Sequence, residues 1–474
     1  MDDRFEVAPE RASARGGATE TTTPPAITLP GVPESEDLQP SRHRGWHPHG
    51  WHGHGWHGHA WHGPGMVRRA LHGSRRAPLT TLLALAILAA AIGPMLASRL
   101  YWYPWFRMSD LEVYRAAGES LLQGRPLYEY LTPVPQLLPF TYPPFSALVA
   151  VPLALMGMQL ANWVWTLGTL AVLGWLVLVA FRPFVRRFPP AYRPFVVVAA
   201  LVAMAYTLPV RDCFHFGQVG IFLAALCLLD CLLPKTRWPR GMMIGFAAAI
   251  KLVPGVFIPY LWITGRRRAA VVAAAWFAGL SVAAAIAMPG ASKQYWTSTL
   301  FASNRLGDNA GTSNQSLRGV FLRVLPGNVG AATWVVAVLV VAVLGYRWAR
   351  SASLSGFELR GVAIIGLLSV LVSPVSWIHH LAGWAPLAIG VLLGEGRTWR
   401  QVAYAVGGAA FFILELPWWG AELVAKTAYW HVPGRLLQDA FAFGALFAVW
   451  LLGRMGAGMS GRTSATREPD TVQG

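Results

Sequence analysis

Apolar runs of about 20 residues, separated by short polar turns, recur along most of this chain, and each is long enough to cross a hydrocarbon core of ~30 Å. The first covers residues 79–98. Later ones fall near 269–288, 329–347, 358–373, 380–393, 401–418 and 435–453. The pattern predicts an all-α polytopic membrane protein with about 10–13 transmembrane segments, about ten of them full spans and two partial. Two stretches break the alternation. Segment 241–263 has basic residues at both ends and holds Lys251, Pro254 and Pro259. It is expected to be a broken or re-entrant pair of half-helices, with Lys251 near the apex. Irregular backbone at membrane depth is tolerated where it lines a polar cavity. Segment 141–157, opened by Tyr142-Pro143-Pro144, is expected to be short or re-entrant as well.

Ahead of the first span lies a polar leader, in which Trp-His recurs at Trp46, Trp51, Trp56 and Trp61. It carries His47, His49, His52, His54, His57, His59 and His62. Neutral imidazoles suit Zn, Ni or Cu. No acidic or cysteine partner fixes a geometry, so the expected reading is a disordered tail. The domain boundaries expected are a disordered leader over 1–77, a transmembrane domain over 78–455 and a disordered tail over 456–474.

Composition agrees with the apolar pattern. Hydrophobic residues make up 54% of the 474 and charged residues 13%, against about 25% charged in a soluble domain. Mean hydropathy is +0.43. The net charge of +17 is spread over short loops between the apolar runs, which is the positive-inside pattern and argues against a nucleic-acid partner. Arg68, Arg69, Arg75 and Arg76 precede the first span. They predict cytoplasmic termini and place residues 99–140 outside, beginning with the interfacial aromatic cluster Tyr101, Trp102, Tyr103, Trp105 and Phe106. Three cysteines give no disulfide framework. No internal repeat is visible, which argues against a secondary transporter.

The candidate chemistry sorts to the outer side. Outside the leader and its flank the histidines are His215, His379, His380 and His431, all at expected outer ends of spans. In the first outer loop Ser109 and Glu112 have capping-box spacing and Gly124 is a helix stop. Leu111, Tyr114, Ala117 and Leu121 share one face, so a short amphipathic helix lying on the membrane is expected there. Asp110 sits in its first turn, where the helix dipole favours a carboxylate; complementing the dipole is the plainer account of it. A lysine within an apolar segment costs about 2.5–3.5 kcal/mol, so Lys251 calls for an anionic partner: a protein carboxylate such as Asp230, or a ligand phosphate. Arg211 is placed to assist. The loop 289–314 and Asn314-Gln315-Ser316 are polar and long enough to cover a site. A Pro-terminated helix with interfacial Trp and His accounts for Ser373–His380 as well as a functional role does.

Taken in order, Asp110-Leu-Glu-Val-Tyr114, Gly124-Arg-Pro-Leu-Tyr128, Tyr142-Pro-Pro144, Gly217-Gln218, Ala249-Ile-Lys-Leu-Val-Pro254, Asn314-Gln-Ser316 and Ser373-Pro-Val-Ser-Trp-Ile-His-His380 resemble the actinobacterial polyprenol-phosphate-mannose-dependent α-(1,2)-mannosyltransferases, glycosyltransferase family 87 of the GT-C superfamily. The resemblance runs from about residue 79 to 455 and excludes the leader. It implies a GT-C fold and an inverting mannosyltransferase of the cell membrane, acting at the extracytoplasmic face. The implied donor is polyprenyl-phosphate mannose and the implied acceptor a phosphatidylinositol mannoside or lipomannan-type glycolipid. Neither cofactor nor metal is implied. The family's catalytic Asp maps onto Asp110 and its functional outer-face His onto His379 or His380. The basic residue that related GT-C enzymes place on the donor phosphate maps onto Lys251, with Arg211 beside it. Tyr114, Tyr142, His215, Gln218, Asn314 and Gln315 are then expected to contact substrate. Two alternatives stay open: an arabinofuranosyltransferase with a polyprenyl-phosphate arabinose donor, and a lipid or glycolipid transporter. The latter predicts paired repeats and polar residues on both sides of the bilayer.

Overall fold

In the structure, a computed structural model, residues 77–101, 108–133, 137–325, 327–396, 398–426 and 428–455 are described. The histidine-rich leader, the residues Trp102–Phe106 of the aromatic cluster and the tail over 456–474 lie outside them. The apolar runs fold as helices: α1 (Ala77–Tyr101), α2 (Ser109–Leu122), α3 (Pro144–Ala154), α4 (Met158–Val185), α5 (Arg193–Ala205), α6 (Leu208–Phe216), α7 (Gly220–Leu232), α8 (Met242–Ile250), α9 (Phe257–Ile263), α10 (Arg267–Ala287), α11 (Pro289–Thr297), α12 (Leu317–Val324), α13 (Gly327–Leu354), α14 (Glu358–Val372), α15 (Trp384–Glu395), α16 (Trp399–Ile413), α17 (Leu416–Lys426), α18 (His431–Gln438) and α19 (Ala440–Arg454). Among the described residues there is no strand. Two isolated bridges pair Leu131 with Pro139 and Asn314 with Trp377.

Among the described residues four helices, α1, α4, α10 and α13, are long and apolar enough to cross a membrane, and bent pairs raise the number to seven. That is fewer than the ten full spans expected. Two causes are visible. Proline near a helix start has no N–H to extend the preceding helix's ladder; the chain turns by 71° just before Leu208-Pro209 and by 56° just before Leu416-Pro417. The runs at 358–373 and 380–393 form α14 and α15, which are only 15 and 12 residues long. Both are apolar all round, as expected of helices surrounded by protein, and both are buried almost completely. They form the centre of the bundle. Gly366 gives α14 the flat surface on which the Trp384 ring of α15 rests, and Gly390 lets α15 approach Ala180 of α4.

The segment around Lys251 is re-entrant. α8 ends at Ile250, Lys251 is extended (φ −148°, ψ 129°), a 3₁₀ turn covers Val253–Val256, and α9 completes the pair. Gly241 lies against Ala269 and Ala273, and Gly245 against Ala273 and Phe277. α8 and α10 therefore start at the same end and run side by side in one direction, so α9 must return to that end. Asp230 caps α8: its Oδ2 accepts from Ile244 N at 2.9 Å and its Oδ1 from Trp238 Nε1 at 3.1 Å. It is therefore not the partner of Lys251.

Arginines tie this basic end together. Arg266 donates to Glu358 at 2.7 Å, which also accepts from Tyr260 at 3.0 Å. Arg360 pairs with Glu395, and Arg187 donates to the carbonyls of Gly394 and Gly396 at 2.7 and 3.0 Å. The Arg187 bonds cap helix-terminal carbonyls, and together these contacts tie five helix ends. The Lys251 apex belongs to the opposite side of the bundle.

Candidate functional site

Helix α2 supplies the first wall. It starts at Ser109 with Met108 in the N-cap position and no side-chain cap, so the Ser109–Glu112 capping box does not form. It stops as expected: Gly124 has φ +64°, Gly124 N donates to Leu121 O at 3.3 Å and Arg125 N to Ser120 O at 2.8 Å, a Schellman closure. The apolar face expected to lie on the membrane packs on protein instead. Leu111, Tyr114 and Ala117 are buried, and Gly118 rests against Ala150 and Ala154 of α3.

This packing presents Asp110 to the Gly217-Gln218 turn. Gly217 ends α6 in the left-handed region (φ +69°), and a Cβ there would lie 2.8 Å from Leu111 Cβ and 3.0 Å from Met108 Cβ. Only glycine lets the turn approach α2 this closely. Gln218 follows, buried at 2% exposure. Its amide hydrogen-bonds the Asp110 carboxyl, and its Oε1 accepts from Tyr114 Oη at 3.3 Å. Tyr114 and Tyr142 hydroxyls meet at 3.2 Å. Asp110 itself keeps some exposed surface, but its carboxyl is enclosed by these groups. Burial pushes it up to about 6, opposed by the Gln218 hydrogen bond and then by the charge of Lys251.

Lys251 faces the same cluster. Its Nζ lies 5.2 Å from the centre of the Tyr142 ring and 2.9 Å from His380 Nε2. The aromatic face and the neutral imidazole solvate the ammonium partly. No carboxylate oxygen lies within salt-bridge reach of it among the described residues. A narrow cleft opens beside it, its space about 430 Å³ including the part open to the surroundings, lined by Gly220, Lys251, Pro254, Ser376, His380 and Trp384 among others. Asp110, Lys251 and His380 are all half-buried, within reach of a ligand, whereas Gln218 and His379 lie deeper. Neither ring nitrogen of His379 has a hydrogen-bond partner among the described residues. Its ring packs on His380 and Phe216, and Phe216 on His215.

Three expected site residues are engaged elsewhere. Arg211 pairs with Glu415. Asn314 and Gln315 have no exposed surface. Asn314 Oδ1 accepts from Ser376 N at 3.0 Å and Ser316 N at 3.2 Å, and its Nδ2 donates to Asn309 O at 2.8 Å. Gln315 N donates to Ser376 O at 2.7 Å; its side chain bonds Thr312 O, Gln438 O and Ala442 N at 2.7–3.0 Å. Their amides clamp the 373–380 loop, and so position His379 and His380, instead of offering groups to a substrate.

The sequence reading missed Trp165, whose ring lies 5.7 Å from Tyr114, and Trp384 in the cleft wall. A tryptophan in an apolar run carries no signal that separates a site wall from a core contact.

The sequence profile of glycosyltransferase family 87 matches residues 140–374. A Mycobacterium tuberculosis protein named polyprenol-phosphate-mannose-dependent alpha-(1-2)-phosphatidylinositol mannoside mannosyltransferase is 33% identical over 364 residues, covering 73% of this chain and 84% of its own. A polyprenol-phosphate-mannose-dependent alpha-(1-2)-phosphatidylinositol pentamannoside mannosyltransferase of Mycolicibacterium smegmatis is 32% identical over 356 residues, with coverage of 73% and 84%. The crystal structure of ArnT from Cupriavidus metallidurans bound to undecaprenyl phosphate aligns over 82% of this chain and 81% of that one at 15% identity and a TM-score of 0.37.

Proposed function

Since the chain belongs to glycosyltransferase family 87, we propose that it transfers mannose from a polyprenyl-phosphate donor to a phosphatidylinositol mannoside or lipomannan-type acceptor, forming an α-(1,2) linkage by inversion. The fold is of GT-C type, the termini are cytoplasmic and the reaction takes place at the extracytoplasmic face. The names of the relatives support the donor and the acceptor class. The observation that carries the mechanism is the convergence of Asp110 and Lys251 on the Tyr114–Tyr142–Gln218 cluster beside an open cleft.

The donor's polyprenol tail stays in lipid, so its sugar is presented at the membrane boundary. An acceptor hydroxyl oxygen attacks the anomeric carbon from the side opposite the phosphate. As the new C–O bond forms, the bond from the anomeric carbon to the phosphate oxygen breaks. The hydroxyl proton passes to Asp110, which acts as general base. A carboxyl titrating near 6 is ionised at neutral pH yet basic enough to take that proton. The leaving polyprenyl phosphate gains negative charge, which Lys251 stabilises in a site of low dielectric. His380, bonded to Lys251, is the histidine that serves the leaving phosphate; His379 lies behind it. The ammonium supplies the positive charge that a metal would otherwise provide, so transfer is metal-independent and persists in a chelator.

The test is transfer from labelled polyprenyl-phosphate mannose to a phosphatidylinositol mannoside by the purified full chain. Asp110→Asn is expected to reduce the rate by about 10²–10⁴-fold with thermal unfolding unchanged. Turnover retained in a folded Asp110→Asn protein would remove the mechanism. A labelled polyprenyl-phosphate arabinose donor run in parallel separates the sugar classes.

A further inference from the structure

A second opening lies between α9 and α13, away from the cleft. Its space, including the part open to the surroundings, is about 1340 Å³. Trp262 and Arg267 line one side, and Leu339, Val343, Arg347 and Arg350 the other. The four α13 residues follow one another on a single helical face at spacings of four, four and three. The apolar pair comes first and the basic pair last, toward the basic end of the bundle. Arg267 and Arg350 are anchored without a carboxylate partner among the described residues: Arg267 lies 5.6 Å from the Trp262 ring, and Arg350 Nε donates to Ile263 O at 2.9 Å. Trp262, Leu339 and Val343 are half or more exposed, at 50%, 60% and 56%.

The dimensions suit one leaflet of a bilayer. From Leu339 to Arg350 the helix rises about 16 Å, close to half of a ~30 Å hydrocarbon core. The three guanidiniums therefore sit where phospholipid phosphates lie, and the apolar stripe where an acyl chain runs. Guanidinium forks bind phosphate oxygens in pairs. We propose that this groove is a binding site for an anionic phospholipid, its phosphate held by Arg267, Arg347 and Arg350 and one acyl chain lying along Leu339 and Val343. A zwitterionic lipid offers the same phosphate with a compensating cation, so the site selects against it. The site is separate from the proposed donor cleft and does not depend on the catalytic reading.

The experiment is native mass spectrometry of the purified full chain, titrated with dioleoylphosphatidylglycerol or dioleoylphosphatidylcholine. Wild type is expected to retain the anionic lipid preferentially. Each arginine removed weakens binding about fivefold, so Arg347→Gln/Arg350→Gln loses about 25-fold for phosphatidylglycerol and little for phosphatidylcholine. Val343→Trp fills the apolar half and weakens both lipids with the charge intact. Arg400→Gln, outside the groove, leaves the preference unchanged, and glycerol 3-phosphate does not displace the lipid. Equal retention of the two lipids by wild type overturns the proposal. So does preference surviving in both groove variants, an Arg400→Gln loss as large as the double variant's, or full displacement by glycerol 3-phosphate.

Discussion

Replacing Gly217 by alanine separates the positioning of Asp110 from mere helix termination. The residue is left-handed (φ +69°), and an alanine Cβ would meet Leu111 Cβ at 2.8 Å and Met108 Cβ at 3.0 Å. The backbone conformation costs a non-glycine residue about 1–2 kcal/mol, and forcing a methyl into packed surroundings adds about 1–3 kcal/mol. The contacted atoms are Cβ atoms next to backbone, so relief comes only from moving the Gly217-Gln218 turn away from α2. That movement lengthens the Gln218–Asp110 hydrogen bond. A displacement near 1 Å at a reacting group costs on the order of 10²-fold in rate. Gly124→Ala is the matched control. Gly124 is equally left-handed (φ +64°), but nothing lies within 4 Å of the added methyl. It pays only the conformational term. Mannosyl transfer is measured on purified protein, normalised to the folded fraction from thermal unfolding. Gly217→Ala is expected to lose about 10²-fold in kcat while Gly124→Ala keeps wild-type kcat. Equal kcat in the two variants would show that the turn only ends a helix.

Because Asp110 must be ionised to accept a proton and titrates at about 6, kcat/KM should be level above that pH and fall about tenfold per unit below it; a profile flat from pH 5 to 8 would contradict this. Lys251→Gln removes the charge on the leaving phosphate and is expected to lower kcat by about 10²–10³-fold, measured at saturating donor; a change confined to KM would assign Lys251 to ground-state binding. Asn314→Ala leaves Ser316 N and Ser376 N without their acceptor, at about 1–3 kcal/mol each. Thermal unfolding should show the loss, and activity should fall with it as the 373–380 loop loosens; an unchanged unfolding temperature would mean the clamp is replaceable.

The parts of the fold legible in the sequence were those set by local chemistry. Lysine followed by proline inside an apolar run announced a helix break, and the chain breaks at Lys251. Gly124 announced a helix stop. What was not legible depended on partners distant in sequence. The face of α2 has the same i, i+3, i+7 spacing whether it meets lipid or α3, so periodicity alone could not choose between them. Lys251 called for an anion, either a carboxylate such as Asp230 or a ligand phosphate, and Asp230 is used by the Ile244 amide. Asn314 and Gln315 looked available because they are polar. Their bonds reach Ser376, Gln438 and Ala442, more than 60 positions away, and only the fold shows them occupied. The same holds for Gln218, whose contact with Tyr114 spans 104 positions.

The Lys251–His380 contact constrains the chemistry further. A charged ammonium has three donors and no acceptor, so at 2.9 Å it must donate to His380 Nε2. That makes His380 neutral, with its proton on Nδ1. The pair then presents two remaining ammonium hydrogens and one imidazole N–H, all of them donors. Such an array suits an anion whose charge grows during reaction, since each donor strengthens as the leaving oxygen becomes more negative. On the other wall Asp110 faces Gln218, which must donate to it through its NH2, because an ionised carboxylate only accepts. The carboxylate is thereby held as an acceptor. One wall accepts a proton and the other stabilises an anion, and this division of donors and acceptors is what displacement of a phosphate by a hydroxyl demands.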